Sequence, residues 1–287
     1  MKILVTGGTG NVGRRLVERL ATRPGVSVRV LTRDPSRAAF GPGVDVVRGD
    51  LADLDGLAAV LEGVDRLFLF PLAYPSGPSQ SLDEYVVTSA VPELAAKAGV
   101  QRVVLLSSNA VMYGRDPHHQ QAEAAVEESG LDFTLLRPGE FAMNKVLAWG
   151  GSIRSEGVVR SGFPDVKGVP IHEADVAAVA EVALVEDGHA GARFELTGAE
   201  VLTEREQVAA IAAGAGREIR FEVLTPDQAR QDWIKQGIMP ELVDEIMDHY
   251  RHFTDNPPRA TDTVAETTGV RARTLEEWAA DHAADFR

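Results

Sequence analysis

The stretch Thr6-Gly7-Gly8-Thr9-Gly10-Asn11-Val12-Gly13 constrains the fold more than any other part of this 287-residue chain. It follows an apolar run, Ile3-Leu4-Val5, and leads into Val12, Leu16, Val17 and Leu20, which recur at helical spacing. A strand therefore enters a glycine turn and leaves it as a helix. Such a turn aims backbone N–H groups and the positive end of a helix at one point, which suits a pyrophosphate. Gly7 allows the tight turn, Gly10 the close approach of backbone to phosphate, and Gly13 the packing of helix against strand, with Thr9, Asn11 and Val12 completing the loop. The strand before and the helix after give the glycine pattern its weight.

The first half of the chain repeats this alternation. Strands are expected over 2–6, 27–32, 45–48, 66–70, 102–107 and 133–137, with helices over 11–22, 53–62, 80–98 and 118–129. Alternating strands and helices imply a parallel sheet covered on both faces. Glycines after the helices, as in Lys97-Ala98-Gly99 and Glu128-Ser129-Gly130, are the expected stops. The pattern changes near Phe141. Met143, Val146, Leu147 and Trp149 suggest an apolar helix, followed by a glycine-rich stretch with a short strand at Val158-Val159. A further helix is read over 175–185, a strand over 193–196, and a polar, helix-rich region from about 200 onward. The expected division is a dinucleotide-binding domain over 1–150, rejoined by 171–196, and a substrate lobe made of 151–170 and 197–287. That lobe should lie over the carboxyl edge of the sheet, where a doubly wound fold binds its ligand.

Composition narrows the partners. A formal charge of −14 argues against nucleic acid or an anionic membrane surface, and it leaves any anionic cofactor to local donors. There is no cysteine, so disulfides, thiol catalysis and cysteine metal sites are excluded. No apolar run approaches the roughly 20 residues that span a bilayer. The amino terminus enters a strand at once, so a soluble cytoplasmic protein, monomer or homodimer, is expected.

Arg33 lies 20 residues after Gly13, at the end of the second strand, where a dinucleotide fold meets the adenosine ribose. Arginine offers a fork of donors to a 2′-phosphate, which favours NADP(H). Asp34 follows directly and could instead bind a 2′-hydroxyl, so NAD(H) stays open. Asp50, in Arg48-Gly49-Asp50-Leu51, ends the third strand and could accept from an adenine amino group with Leu51 against the ring. It could equally signal the start of a helix. Phe70 and Pro71, at the end of the fourth strand, are also assigned to the cofactor site.

The loop 6–13, Gly49-Asp50-Leu51, Leu105-Leu106-Ser107-Ser108, Thr134-Leu135-Leu136-Arg137-Pro138-Gly139 and Ile171-His172-Glu173-Ala174-Asp175-Val176-Ala177 together resemble the atypical and extended short-chain dehydrogenase/reductases. Within that superfamily the chain is most similar to the NmrA-like group, over about residues 1–200. The resemblance implies an α/β fold, a Rossmann-like doubly wound parallel sheet with a smaller helix-rich C-terminal substrate lobe. It also implies either a reductase of quinones or dyes, or a cofactor sensor without activity. It places Pro138 and Gly139 beside the nicotinamide, where Ser107 is also a candidate donor, and turns Phe141, Met143 and Asn144 toward the substrate; ordinary core is the other reading of Phe141 and Met143.

Most of the superfamily uses a tyrosine with a lysine four residues later for proton transfer. Here Tyr74, Tyr85, Tyr113 and Tyr250 are followed at that spacing by Pro78, Ser89, Pro117 and Thr254. At the expected place stand His119 and Glu123. Reducing an isolated ketone builds a strongly basic alkoxide, so a positioned acid is valuable there. A quinone spreads the charge over a ring and needs less help. The missing pair therefore fits a small aromatic or conjugated substrate, or no chemistry at all. Ser108, Tyr113 and His119 are the candidate catalytic donors; a strand cap, a packing aromatic and a surface histidine are their structural alternatives. His172, Glu173 and Asp175 make a poor metal site, and no metal is expected. Asp175 reads as the cap of the following helix. A nucleotide-sugar epimerase or dehydratase is the remaining alternative, disfavoured by the same missing pair.

Overall fold

In chain order the main elements are β1 (Lys2–Val5), α1 (Asn11–Ala21), β2 (Ser27–Thr32), β3 (Val44–Arg48), α2 (Leu54–Leu61), β4 (Arg66–Leu69), α3 (Val91–Lys97), β5 (Arg102–Leu106), α4 (Pro117–Glu128), β6 (Asp132–Pro138), α5 (Asn144–Glu156), α6 (Glu173–Val185), β7 (Ala192–Leu196), α7 (Glu204–Ala215), α8 (Pro226–Lys235) and α9 (Pro240–Asp255). This computed structural model describes residues 1–73, 86–87, 89–235, 237 and 239–287. Tyr74 and Tyr85 lie outside the described residues, as does Pro78. By its internal contacts the chain forms two units: Met1–Gly139, Glu173–Leu196 and Glu266–Gly269 make the first, and Glu140–His172, Thr197–Ala265 and Val270–Arg287 the second.

In the first unit seven strands form one sheet in the order β7-β6-β5-β4-β1-β2-β3, and every pairing is parallel. This is the Rossmann-like α/β arrangement. All five residues of β5 are buried, as expected for a strand covered on both faces. On one face Leu57 and Leu61 of α2, Val91 and Ala95 of α3, and Ala122 and Val126 of α4 pack against Leu4, Leu67, Val103 and Leu105 of the sheet. α1 buries Val12, Leu16, Val17 and Leu20, the stripe legible in the sequence. It pairs with α6, whose buried Glu181 accepts hydrogen bonds from Arg19 at 2.5 Å and from Arg23.

Two element assignments change. The helix expected over 80–98 is, in its described part, the short strand Val86–Val87 and the helix Val91–Lys97. The β-branched pair favours extended backbone, and Pro92 is tolerated only in a first helical turn. Val86–Val87 pairs antiparallel with Leu72–Ala73. The helix expected from Asp175 begins at Glu173, so Asp175 is a buried residue of its first turn and not its cap.

In the second unit strands Val158–Ser161 and Arg220–Val223 pair in parallel. Around them α5, α7 and the helix Leu275–Asp281 enclose Trp149, Ile153, Ile211, Trp278 and Phe286. A separate cluster of Phe163, Val243 and Met247 holds α9, with Trp233 of α8 and Tyr250 packed against it. The Tyr250 ring stacks on Phe163 at 4.6 Å, and its hydroxyl donates to Glu204 Oε1 at 2.8 Å. Among the described residues no helix is long and apolar enough to cross a membrane.

Candidate cofactor and active site

The glycine turn sits at the carboxyl end of β1, between the half of the sheet built outward through β2 and β3 and the half that begins at β4. That reversal is where a doubly wound sheet leaves a crevice for its ligand. Gly7 has φ +63°, and Gly10 N–H closes a turn onto the Gly7 carbonyl at 2.9 Å. A Cβ on Gly13 would lie 2.2 Å from that same carbonyl oxygen, so only glycine fits. Gly10 is the N-cap of α1 and no side chain caps the helix, which leaves the N–H groups of its first turn to an outside acceptor. Thr6 secures the floor: its hydroxyl donates to Phe68 O at 3.2 Å and accepts from Phe70 N–H at 2.8 Å. Phe70 thereby packs directly on Gly7, and Pro71 beside it is buried. Thr9 and Asn11 are exposed, and Val12 is buried. These features suit the phosphates of a dinucleotide.

At the end of β2, Arg33 is exposed. The Oδ1 oxygen of Asp34 accepts from Ser36 N–H at 3.0 Å and from Ser36 Oγ at 2.6 Å, capping the short turn Pro35–Arg37. Arg14, one turn into α1, lies over the Phe40 ring at 5.5 Å, a contact that the sequence pattern did not signal. Asp50 accepts from Ala52 N–H at 3.0 Å, while Asp53 caps α2. Leu51 is buried in the core cluster with Leu31 and Leu57.

A denser constellation lies where β5 leads to α4. Ser107 is buried and donates to Glu123 Oε1 at 2.5 Å. Arg137 grips the same carboxylate twice, Nε to Oε1 at 2.9 Å and Nη2 to Oε2 at 2.7 Å. That grip raises the Arg137 guanidinium above its usual range, against the opposing effect of burial. Glu123 is thus held by its neighbours. Ser108 accepts from Ala110 N–H at 3.1 Å, capping the short helix Asn109–Tyr113, and Tyr113 is an exposed ring at its end.

Asp116 caps α4, followed by Pro117 at the first helical position. Its Oδ1 accepts from His119 N–H at 3.0 Å, and its Oδ2 lies 2.7 Å from His119 Nδ1. Burial lifts the Asp116 carboxyl, but the hydrogen bonds from the His119 ring and backbone outweigh it and hold the group below its ordinary range. His119 is therefore a shielded, oriented ring and not a surface histidine. The Asp-Pro-x-His spacing carried that signal, since a cap at Asp116 brings the N–H three residues on within reach.

Pro138 is the last residue of β6, opposite Leu196. In the second unit Phe141 bridges to Ile171, Met143 packs on the core beside Trp149, and Asn144 is exposed at the start of α5. His172 Nε2 lies 3.3 Å from Asp281, whereas Glu173 lies 4.0 Å from Arg15. Among the described residues no group of three potential ligands could hold a metal ion.

A family profile described as NAD(P)H-binding matches residues 7–187. The (4-alkanoyl-5-oxo-2,5-dihydrofuran-3-yl)methyl phosphate reductase of Streptomyces griseus is 38% identical over 293 residues, covering 99% of each chain. The NAD(P)H azoreductase of Xenophilus azovorans is 33% identical, again over 99% of each. The crystal structure of an NADPH-dependent quinone oxidoreductase from Escherichia coli complexed with NADPH superposes with a TM-score of 0.80 at 25% identity, covering 98% of this chain and 99% of that one.

Proposed function

The chain belongs to the NAD(P)H-binding family, and from that premise we propose that it is a reductase passing hydride to a small conjugated or aromatic carbonyl such as a quinone. The observation that carries this reading is the glycine turn at the reversal of the sheet, whose helix has no side-chain cap and whose Gly13 leaves no room for a Cβ. Phosphate binding is assigned to the N–H groups of Asn11, Val12 and Gly13. Arg33 is assigned to a 2′-phosphate, hence NADPH before NADH; the engagement of Asp34 in a local cap supports that order. When bound, the reduced cofactor supplies the hydride.

The chain's own part is to bind, orient and manage a proton. His119 is the assigned proton donor, and Ser108 a hydrogen-bond donor to the developing oxyanion. Tyr113 is the alternative donor. Phe141 and Asn144 are assigned to acceptor recognition. Conjugated acceptors suit this set because their reduced oxyanions are weakly basic and a modest acid suffices. The relatives' names point the same way: one is an azoreductase and one a quinone oxidoreductase, while the Streptomyces relative is named for a ring that carries its carbonyl next to unsaturation.

The test is oxidation of NADPH by the purified protein with a benzoquinone, an azo dye, a conjugated lactone and an isolated cyclic ketone. The reading predicts turnover of at least one conjugated acceptor, with kcat/KM about 100-fold or more above the ketone, on the scale of one well-placed acid. Tight NADPH binding with no turnover of any acceptor would overturn it. That result would favour a cofactor-sensing protein, the second reading, which the absence of a tyrosine–lysine pair also suits.

A further inference from the structure

We propose that Asp116 is a positioning residue for this reaction, setting which ring nitrogen of His119 carries the proton and so leaving Nε2 as the nitrogen that delivers it. The proposal rests on the reductase reading above. Both carboxylate oxygens of Asp116 are spent on one residue, Oδ1 on the His119 backbone N–H and Oδ2 on its Nδ1. The two side chains are only 21% and 13% exposed, so water competes weakly for the contact. A carboxylate is an acceptor only, and this one is held below its ordinary range. The hydrogen on the 2.7 Å contact must therefore sit on Nδ1. With Nδ1 protonated, the neutral ring presents a lone pair at Nε2, and the cationic ring presents a proton there.

Capping alone does not require this arrangement. Serine or asparagine at position 116 would satisfy the first turn of α4 equally well. Only aspartate adds a second acceptor that stabilises the imidazolium and orients it, as a carboxylate does behind a general-acid histidine. Among the described residues His118, next in the chain, also acts on Asp116 through its charge, and Glu123 follows His119 one turn along α4. Glu123 is occupied by Ser107 and Arg137, so the carboxylate that addresses His119 is Asp116.

A bound reduced nicotinamide would supply hydride, forming a C–H bond at the acceptor and breaking its conjugated π bond as the cofactor gives up two electrons. The displaced electron pair would settle on the acceptor oxygen and take the proton from His119 Nε2. His119 is left neutral with its proton on Nδ1 facing Asp116, and solvent protonates Nε2 again before the next turnover.

Asp116→Asn separates orientation from capping. Its oxygen must still cap the backbone N–H, which turns its amide NH2 toward Nδ1 and requires that nitrogen to accept. The neutral ring then carries its proton on Nε2. Asp116→Ser keeps the cap and removes the ring contact. The experiment reads 15N shifts of the His119 ring in the full chain, beside kcat and KM for the conjugated acceptor that the panel shows to react. The expected result is an Nδ1–H tautomer in the wild type and Nε2–H in Asp116→Asn. Both variants should fold with a thermal midpoint close to wild type. In Asp116→Asn kcat should fall about 100-fold, with KM within about threefold. The same tautomer in wild type and Asp116→Asn would overturn the proposal, as would a flipped tautomer with unchanged kcat. If the wild type turns over no acceptor, the reductase reading fails and with it the delivery step. The shifts still decide independently whether Asp116 sets the ring.

Discussion

One absent methyl group decides what the glycine turn can be. At Gly13 an alanine Cβ would fall 2.2 Å from the Gly7 carbonyl oxygen, a backbone atom that cannot swing away. Gly13→Ala should therefore cost about 2 kcal/mol of folding stability and abolish measurable NADPH binding, checked by urea unfolding and cofactor fluorescence titration. Arg33 is the residue by which the two nicotinamide cofactors would be told apart. Arg33→Ala should weaken NADPH by about 1.5–3 kcal/mol, roughly 10- to 150-fold, with NADH little changed. Equal losses in paired titrations would remove the 2′-phosphate role. At this scale the sequence was readable wherever backbone demanded a residue type, as in the loop 7–13. It was unreadable where a side chain chose between partners. Nothing in Gly49-Asp50-Leu51 said that Leu51 would turn into the core, and nothing in the spacing of His119 and Glu123 said that the glutamate would be taken by Arg137.

Among the elements, α4 joins the fold to the candidate chemistry. Its cap orients His119, and one turn later Glu123 ties the helix to the ends of β5 and β6 through Ser107 and Arg137. Removing one partner of a largely buried pair strands the other, so Glu123→Ala should destabilise the protein by about 3 kcal/mol in denaturant unfolding. Glu123→Gln, which keeps an acceptor for Ser107, should cost less. The central strands and α1 were legible because their apolar periods are unambiguous: β2 runs over 27–32 as read. In the described part of the helix read over 80–98, Val86-Val87 is instead extended, as β-branching favours, and the helix starts only at Val91, with Pro92 in its first turn.

Over the whole molecule, the seven-stranded parallel sheet followed from the alternation of short apolar runs with amphipathic segments. The pairing of Val158–Ser161 with Arg220–Val223 did not, because two four-residue strands so far apart in sequence leave no periodic trace. The second unit also carries a pH dependence that composition alone would not suggest. Burial raises the Glu204 carboxyl, offset in part by hydrogen bonds from Ser161 and Tyr250 and by the charge of Lys145. An acid raised in the folded state holds its proton more tightly there than in the unfolded chain. Stability is therefore lost as pH climbs from the ordinary value of 4.5 through the folded one, and is level beyond it. Glu204→Gln should flatten that slope and raise the unfolding free energy at neutral pH, measured by urea melts across pH. The central claim, hydride transfer from a nicotinamide to a conjugated acceptor, is tested most directly by isotope. With a conjugated lactone as the acceptor, NADPH deuterated at the transferring C4 position should place its deuterium on the non-exchanging β-carbon of the reduced product, with one cofactor oxidised per product. Oxidation of the cofactor with no deuterium in the product, or binding with no oxidation at all, would contradict the account.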